Sequence, residues 1–134
     1  MPQRYYFYMT SFLISSDIYR NTHYGEKHPL NIPRVGATLD LIKAMSWYDE
    51  AKFITAPIAK PSLLKKFHSN DYVNVLIEVD EKQEIDKNQS NKYNLGTPSN
   101  PIFKGMYKRP ATSVGGSVVA AEFAFLHGRA FNLG

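Results

Sequence analysis

Four histidines, His23, His28, His68 and His127, are the side chains best suited to bind a metal or move a proton near neutral pH. A helical metal site of the HExxH kind sets two of them four residues apart, and no pair here has that spacing. Each alone is more readily a loop or surface residue than a ligand. His28 stands out, because Gly25 and Pro29 constrain the loop that carries it and Arg34 is close behind. Arg34 stands just after a proline-rich loop, at the start of an apolar helical stretch. A cation there opposes the helix dipole, so a specific anionic or carbonyl partner is expected for it. Asp17, Glu26, Asp40, Asp49, Asp71, Asp80 and Asp86 are scattered and form no acid/base pair. The absence of cysteine excludes thiolate chemistry, a disulfide scaffold and cysteine zinc ligation. GxGxxG, Walker and GxSxG motifs are missing as well. Residue types and spacing alone define no active site.

The elements that would carry these residues can be read from pattern and punctuation. Residues 5–14 (YYFYMTSFLI) predict a first, buried strand that Ser15, Ser16 and Asp17 break. Residues 19–34 predict a loop punctuated by Gly25, Pro29 and Pro33. Val35, Leu39, Ile42 and Met45 recur at helical spacing, which predicts a helix over 34–46 with Trp47 and Tyr48 packed at its end. Residues 52–58 predict a second strand. Ser62 is expected to cap a short helix over 63–67, and Ser69 or Asn70 to cap a longer one with Tyr72, Val75, Leu76 and Val79 on one face. The polar stretch 78–92 predicts the end of that helix and then a solvated loop. A second long loop, 93–107, leads to a helix with Pro110 in its first turn and Gly128 at its end. Val114, Val118, Ala121 and Phe125 share one face of it. Ala111, Gly115, Gly116, Ser117 and Ala120 keep another face thin, open to close approach by a neighbouring backbone. That packing role, rather than phosphate binding, is the reading of Gly115–Gly116. Residues 130–133 predict a third strand. The alternation argues for an α/β fold with a parallel sheet.

Length and composition fit one domain with a real core: 134 residues, 43% hydrophobic and 21% charged. The apolar run at the N-terminus is too short to span a bilayer, which takes roughly 20 residues. The formal charge of +4 is spread over scattered lysines and arginines without a basic stripe, so nucleic-acid binding is not expected.

Three stretches resemble one family. HYGEKHPLNIPRV (23–35) resembles the first active-site-side loop of the histone deacetylase superfamily, and FHSNDYVNVL (67–76) resembles its F-H-S/T-x-x-Y-hydrophobic helix. KYNLGTPSNPIFKGMY (92–107), continuing through VGGS to AFNLG, resembles its third signature region. Among superfamily members, the bacterial deacetylase-like and acetoin-utilisation proteins are the nearest in kind. The resemblance implies the arginase/deacetylase fold, here an incomplete three-layer α/β structure of about three parallel strands with flanking helices. It implies a family of zinc-dependent amidohydrolases acting on acetyl-lysine or small acetylated amines. By match to the family motif it makes Arg34 the arginine lining an internal channel. Tyr24, His28 and Pro29 become the supporting loop, and Asn100, Pro101, Phe103, Met106 and Tyr107 the pocket rim and wall. Asp86 is the nearest candidate for an aspartate that holds substrate backbone in some members.

The resemblance further implies that the family's zinc ligands and His-His pair come after the strand ending near Leu133. Residues 1–134 are then expected to be the N-terminal part of a deacetylase-like domain, stopping before that segment. No catalytic and no metal-binding residue is assigned in this chain, and the chain alone is expected to be inactive and to hold no zinc. Self-association, or a complementary C-terminal chain, is expected to cover its exposed edge and helix faces. An acetylated amine would be a substrate only of the completed domain. The other reading is a non-enzymatic interaction module, or half of a split protein. A cytoplasmic location fits the absence of cysteine, and no membrane role is expected.

Overall fold

The computed structural model describes residues 10–26 and 28–134. Its centre is a three-stranded parallel sheet in the order β2-β1-β3, built from β1 (Thr10–Ser15), β2 (Phe53–Thr55) and β3 (Gly128–Asn132). Leu13 pairs with Phe53 on one side and with Phe131 on the other. Ile14 and Ser15, at the middle of the sheet, are fully buried. The predicted strand over 5–14 overlaps β1 in 10–14, and residues 5–9 lie outside the described residues. Ser15 does not break the strand as expected. Its carbonyl accepts from Ala56 N (2.7 Å), and its hydroxyl donates to the Leu133 carbonyl (2.7 Å). A serine is stable at that buried position because both polar groups are satisfied.

Helices join the strands. A short turn of helix, α1 (Ile18–Asn21), comes after β1 and begins what was predicted as loop. A 3-10 turn over Pro29–Asn31 stands later in the same stretch. The expected helix over 34–46 is α2 (Arg34–Ala44); Ser46, at φ 53°, ends its geometry. Trp47 is exposed rather than packed. Arg20 reaches from α1 across the thin surface at Gly36 and forms a two-pronged pair with Asp40 (3.0 and 2.7 Å). β2 is shorter than predicted, because a 3-10 turn (Glu50–Lys52) precedes it and Pro57 lies just beyond it.

Helix α3 is Pro61–Leu64, with Lys60 rather than Ser62 at the N-cap position and no side-chain cap, since Pro61 takes a first-turn position where no N–H is needed. Helix α4 (Asn70–Lys82) is capped by Ser69, as expected, its hydroxyl accepting from Tyr72 N (3.3 Å). The polar stretch 78–92, predicted to pass from helix end into solvated loop, instead runs into a further helix, α5 (Lys87–Tyr93). It has no apolar periodicity to reveal it. Asp86 caps it, accepting from Asn88 N (2.8 Å) and Gln89 N (3.0 Å), so this side chain has a structural task of its own.

The long helix α6 (Lys108–His127) packs on β1 and β3 and closes with Gly128 at φ 100°. Gly128 also starts β3, two residues earlier than predicted. The thin face is the packed one, as the small residues imply. A methyl group on Gly115 would collide with the Pro57 carbonyl, and one on Gly116 with the Asn132 side chain. Two buried clusters hold α4 to the 94–107 loop and to the first turns of α6. Val75, Val79, Leu95 and Met106 form one, and Val73, Tyr107 and Ala111 the other.

Candidate functional site

Asp80 on α4 is the anchor for the loop over 94–107. It is buried, and its carboxylate accepts from the backbone N–H of Gly105 and, at 3.3 Å, of Lys108. These N–H groups stand at and just before the first turn of α6, where helix geometry leaves donors unpaired and a negative charge is favoured. The same loop is closed upstream by Asn100, whose side chain donates to the Asn94 carbonyl (3.0 Å), and by the turn joining Gly96 and Thr97 to Asn100. Loop and helix start are thereby fixed relative to α4.

Tyr24 is the residue around which the predicted frame gathers. Its ring stacks on His28 (5.0 Å between centroids) and tilts against Phe103 (4.6 Å). His28 itself caps the adjoining 3-10 turn, its Nδ1 accepting from Leu30 N (3.1 Å). A cavity of about 250 Å³ opens on one side of Tyr24. Asn100, Phe103, Met106 and Tyr107 line it from the loop and α6, with His68, Tyr72 and Val73 from the α4 side. Among the described residues no Lys, Arg, Asp or Glu lines it. A second, more open hollow on the other side is bounded by Tyr24, His28, Pro98 and Pro101. Tyr24 and six of the other eight frame residues therefore line these two hollows. Pro29 and Arg34 lie outside both hollows, and both are exposed. Among the described residues the Arg34 guanidinium has no hydrogen-bond or ion-pair partner, in contrast to the expectation for it.

The cation that does sit in the frame is Arg109, in the first turn of α6. Its guanidinium lies over the rings of Tyr19 (5.1 Å) and Tyr24 (5.2 Å). It donates to the Tyr24 hydroxyl (3.4 Å), the Tyr19 carbonyl (3.4 Å) and the Thr22 hydroxyl (3.3 Å). Among the described residues it forms no ion pair. The dipole argument applied to Arg34 applies equally to Arg109: a cation at a helix start needs compensation, and here two aromatic faces and three neutral oxygens provide it. Burial pushes the Tyr19 hydroxyl up, opposed by the positive charge of Arg109 and by Ser113. Burial also pushes Tyr107 up, and its hydroxyl has no hydrogen-bond partner among the described residues. Both phenols therefore stay neutral through the physiological range.

The end of β3 is held to this frame. Leu133 N donates to the Ile14 carbonyl (2.8 Å), and Ser113 Oγ donates to the Gly134 carbonyl (3.0 Å). Asn132 Nδ2 donates to the Ser113 carbonyl and to Ser117 Oγ, each at 3.0 Å. Among the described residues no three histidine, aspartate or glutamate side chains converge to hold a metal ion. No described helix is long and apolar enough to cross a membrane.

Residues 28–133 match the histone deacetylase domain family. The chain belongs to that family. It is 30% identical over 113 residues to the acetoin utilization protein AcuC of Bacillus subtilis, covering 84% of this chain and 29% of that protein. It is 34% identical over 103 residues to the histone deacetylase HDAC1 of Drosophila melanogaster, covering 75% of this chain and 19% of that one. Its fold superposes on the crystal structure of an HDAC homologue from Aquifex aeolicus with a TM-score of 0.85 and 36% identity, over 92% of this chain and 33% of that one. The same values hold against an HDAC homologue complexed with SAHA. The fold is thus that of the HDAC homologues, a parallel sheet flanked by helices, and the chain spans a third or less of the length of these relatives.

Asp80, Arg109 and Tyr19 are the site residues that sequence reasoning missed. Asp80 carried a signal, as an acid in step with Val73, Leu76 and Ile77 on a helix face that is otherwise apolar. Arg109 carried the same signal as Arg34, a cation at a helix start.

Proposed function

We propose that this chain is the pocket-framing N-terminal portion of a zinc-dependent amidohydrolase of the histone deacetylase family. The reaction class is hydrolysis of an acetylated amine, either acetyl-lysine or a small acetylated amine. The observation that carries the reading is the convergence of loops 23–31 and 94–107 on Tyr24, in a chain whose family match runs over 28–133. What these residues do in that reading is steric and electrostatic. Tyr24, Phe103, Met106 and Tyr107 form a largely apolar wall. Arg109 supplies a fixed positive charge behind it. In this reading the metal and the catalytic acid/base groups belong to other parts of a whole deacetylase domain.

The reading has a direct test. Residues 1–134 alone, with stoichiometric zinc, are expected to release no acetate from an acetyl-lysine peptide above the rate of zinc in buffer. Saturable, zinc-dependent turnover by the isolated chain would overturn the assignment of chemistry to other residues.

A second reading, half of a split protein that joins a partner chain, is favoured by the sheet face away from α6. There Phe131 is 71% exposed beside a groove of about 570 Å³ lined by Leu13, Ile42, Trp47 and Leu133. A stable complex with a separately expressed remainder of a family domain would favour it.

A further inference from the structure

We infer that Arg109 is a positioning residue for the pocket: acting through Tyr24, it makes that phenol a fixed hydrogen-bond donor to an oxygen acceptor bound in the cavity. The inference deepens the proposed function and rests on it for what the pocket is for. Arg109 borders neither hollow, whereas Tyr24 borders both. Whatever Arg109 does to the pocket therefore passes through another side chain. The hydrogen bonds of its guanidinium all fall on residues 19–24: the Tyr19 carbonyl, the Thr22 hydroxyl and the Tyr24 hydroxyl. Thr22 is itself held. Its hydroxyl donates to the Ile18 carbonyl (2.6 Å), so its oxygen is left to accept from Arg109. Its methyl lies against Gly105, where a Cβ would overlap it, and Gly105 is tethered to Asp80. Residues 19–24 are thus folded around the guanidinium and pressed against the loop that walls the cavity.

The polarity of these bonds decides what Tyr24 can offer. A guanidinium carries donors and no acceptor. Its Nε–H donates to the Tyr24 oxygen, so that oxygen is committed as an acceptor. The hydrogen of the same hydroxyl must then donate elsewhere, and among the described residues no acceptor takes it. Nor is the ring free to swing. His28 stacks on it, Phe103 tilts against it, and the Arg109 guanidinium lies over it at 5.2 Å. The pocket wall therefore carries a phenol O–H of fixed origin beside a cavity that no charged side chain lines among the described residues. Such a wall favours a neutral group with a carbonyl oxygen over one that can only donate, because the unmatched donor would otherwise stay unpaired. Lysine in place of Arg109 would keep the charge and lose the effect. One ammonium cannot reach three oxygens and lie flat over two rings.

The test uses the full chain, without zinc and without hydrolysis, so it can fail while the family reading stands, and turnover by the isolated chain would leave it untouched. The probe is N,N-dimethylacetamide, which accepts hydrogen bonds and donates none. It is close to benzene in size, and a cavity of about 250 Å³ exceeds the roughly 150 Å³ that admits such a guest. Binding is followed by NMR titration. Tyr24→Phe keeps the ring and removes the hydroxyl, and should weaken binding about fivefold, the net worth of one hydrogen bond. Arg109→Lys should weaken it by a similar factor. The double variant should bind no more weakly than Tyr24→Phe alone, since two residues acting on one hydrogen bond are not additive. A residue that merely stabilised the fold would add its own loss to that of Tyr24→Phe. A wild-type chain that does not bind the probe, a Tyr24→Phe chain that binds it as tightly as wild type, or additive losses in the double variant would each overturn the proposal.

Discussion

Gly115→Ala is expected to destabilise the chain by about 2 kcal/mol, although alanine is the better helix former. The intrinsic preference alone would favour alanine by about 1 kcal/mol. Against it stands the close approach of the segment after β2. The added methyl would overlap the Pro57 carbonyl and crowd Ala59 N at 3.1 Å. These are backbone atoms, so no side-chain rotation relieves the clash. Nor is the segment free to move, because Ala59 N donates to the Ala111 carbonyl of the same helix (2.9 Å). Overpacking of this kind costs about 1–3 kcal/mol where a side chain can give way, and the upper end applies where only backbone can. A loss of about 2 kcal/mol corresponds to a fall in Tm of roughly 8 °C for a domain of this size. Chemical denaturation should show it, with Glu122→Ala on the exposed side of α6 as a control near zero. A Gly115→Ala chain as stable as the parent would show that α6 does not ride on the Pro57 segment.

Asp80→Ala is expected to cost about 3 kcal/mol and to loosen the start of α6. The buried carboxylate takes two backbone N–H groups, those of Gly105 and Lys108. Hydrogen bonds to a charged group are worth about 1.5–3 kcal/mol each, and a buried donor left without its partner pays its full desolvation penalty. Asp80→Asn should recover only part of the loss, because an amide offers one acceptor oxygen and turns an N–H toward another N–H. The effect is local in origin, so amide exchange should rise first at 105–108 and then across the loop that carries Asn100, Phe103 and Met106. A uniform rise across the whole chain, with no early loss at Gly105, would indicate that Asp80 is not the tether.

Gly115 and Asp80 also differ in how legible they are from sequence. The Gly115–Gly116 face can be read directly, because only small residues let a backbone come that close, and a glycine pair inside a long helix has few other uses. The cap at Ser69 and the stop at Gly128 are equally plain, each being a local bond or a local dihedral. Helix α5 is not, since Lys87–Tyr93 has no apolar repeat and is held by its Asp86 cap and its packing through Tyr93. Within the site, the motif resemblance names Tyr24, His28, Asn100, Phe103, Met106 and Tyr107, and these converge. Which arginine joins them is not legible. Arg34 and Arg109 both begin helices, and the choice depends on where the Tyr19 and Tyr24 rings lie, 90 and 85 residues away in sequence from Arg109.

Residues 10–134 are proposed to frame the pocket of a working deacetylase-family domain. The most direct measurement is a chimera in which they replace the matching third of the Aquifex aeolicus HDAC homologue, assayed with zinc on an acetyl-lysine peptide beside the parent. Zinc-dependent hydrolysis within about tenfold of the parent is expected, the margin that roughly 1.4 kcal/mol of imperfect fit allows. Arg109→Ala in the chimera is expected to lower the rate, and Arg34→Ala to do so less. A chimera that folds with parental stability and binds zinc, yet hydrolyses nothing, would contradict it.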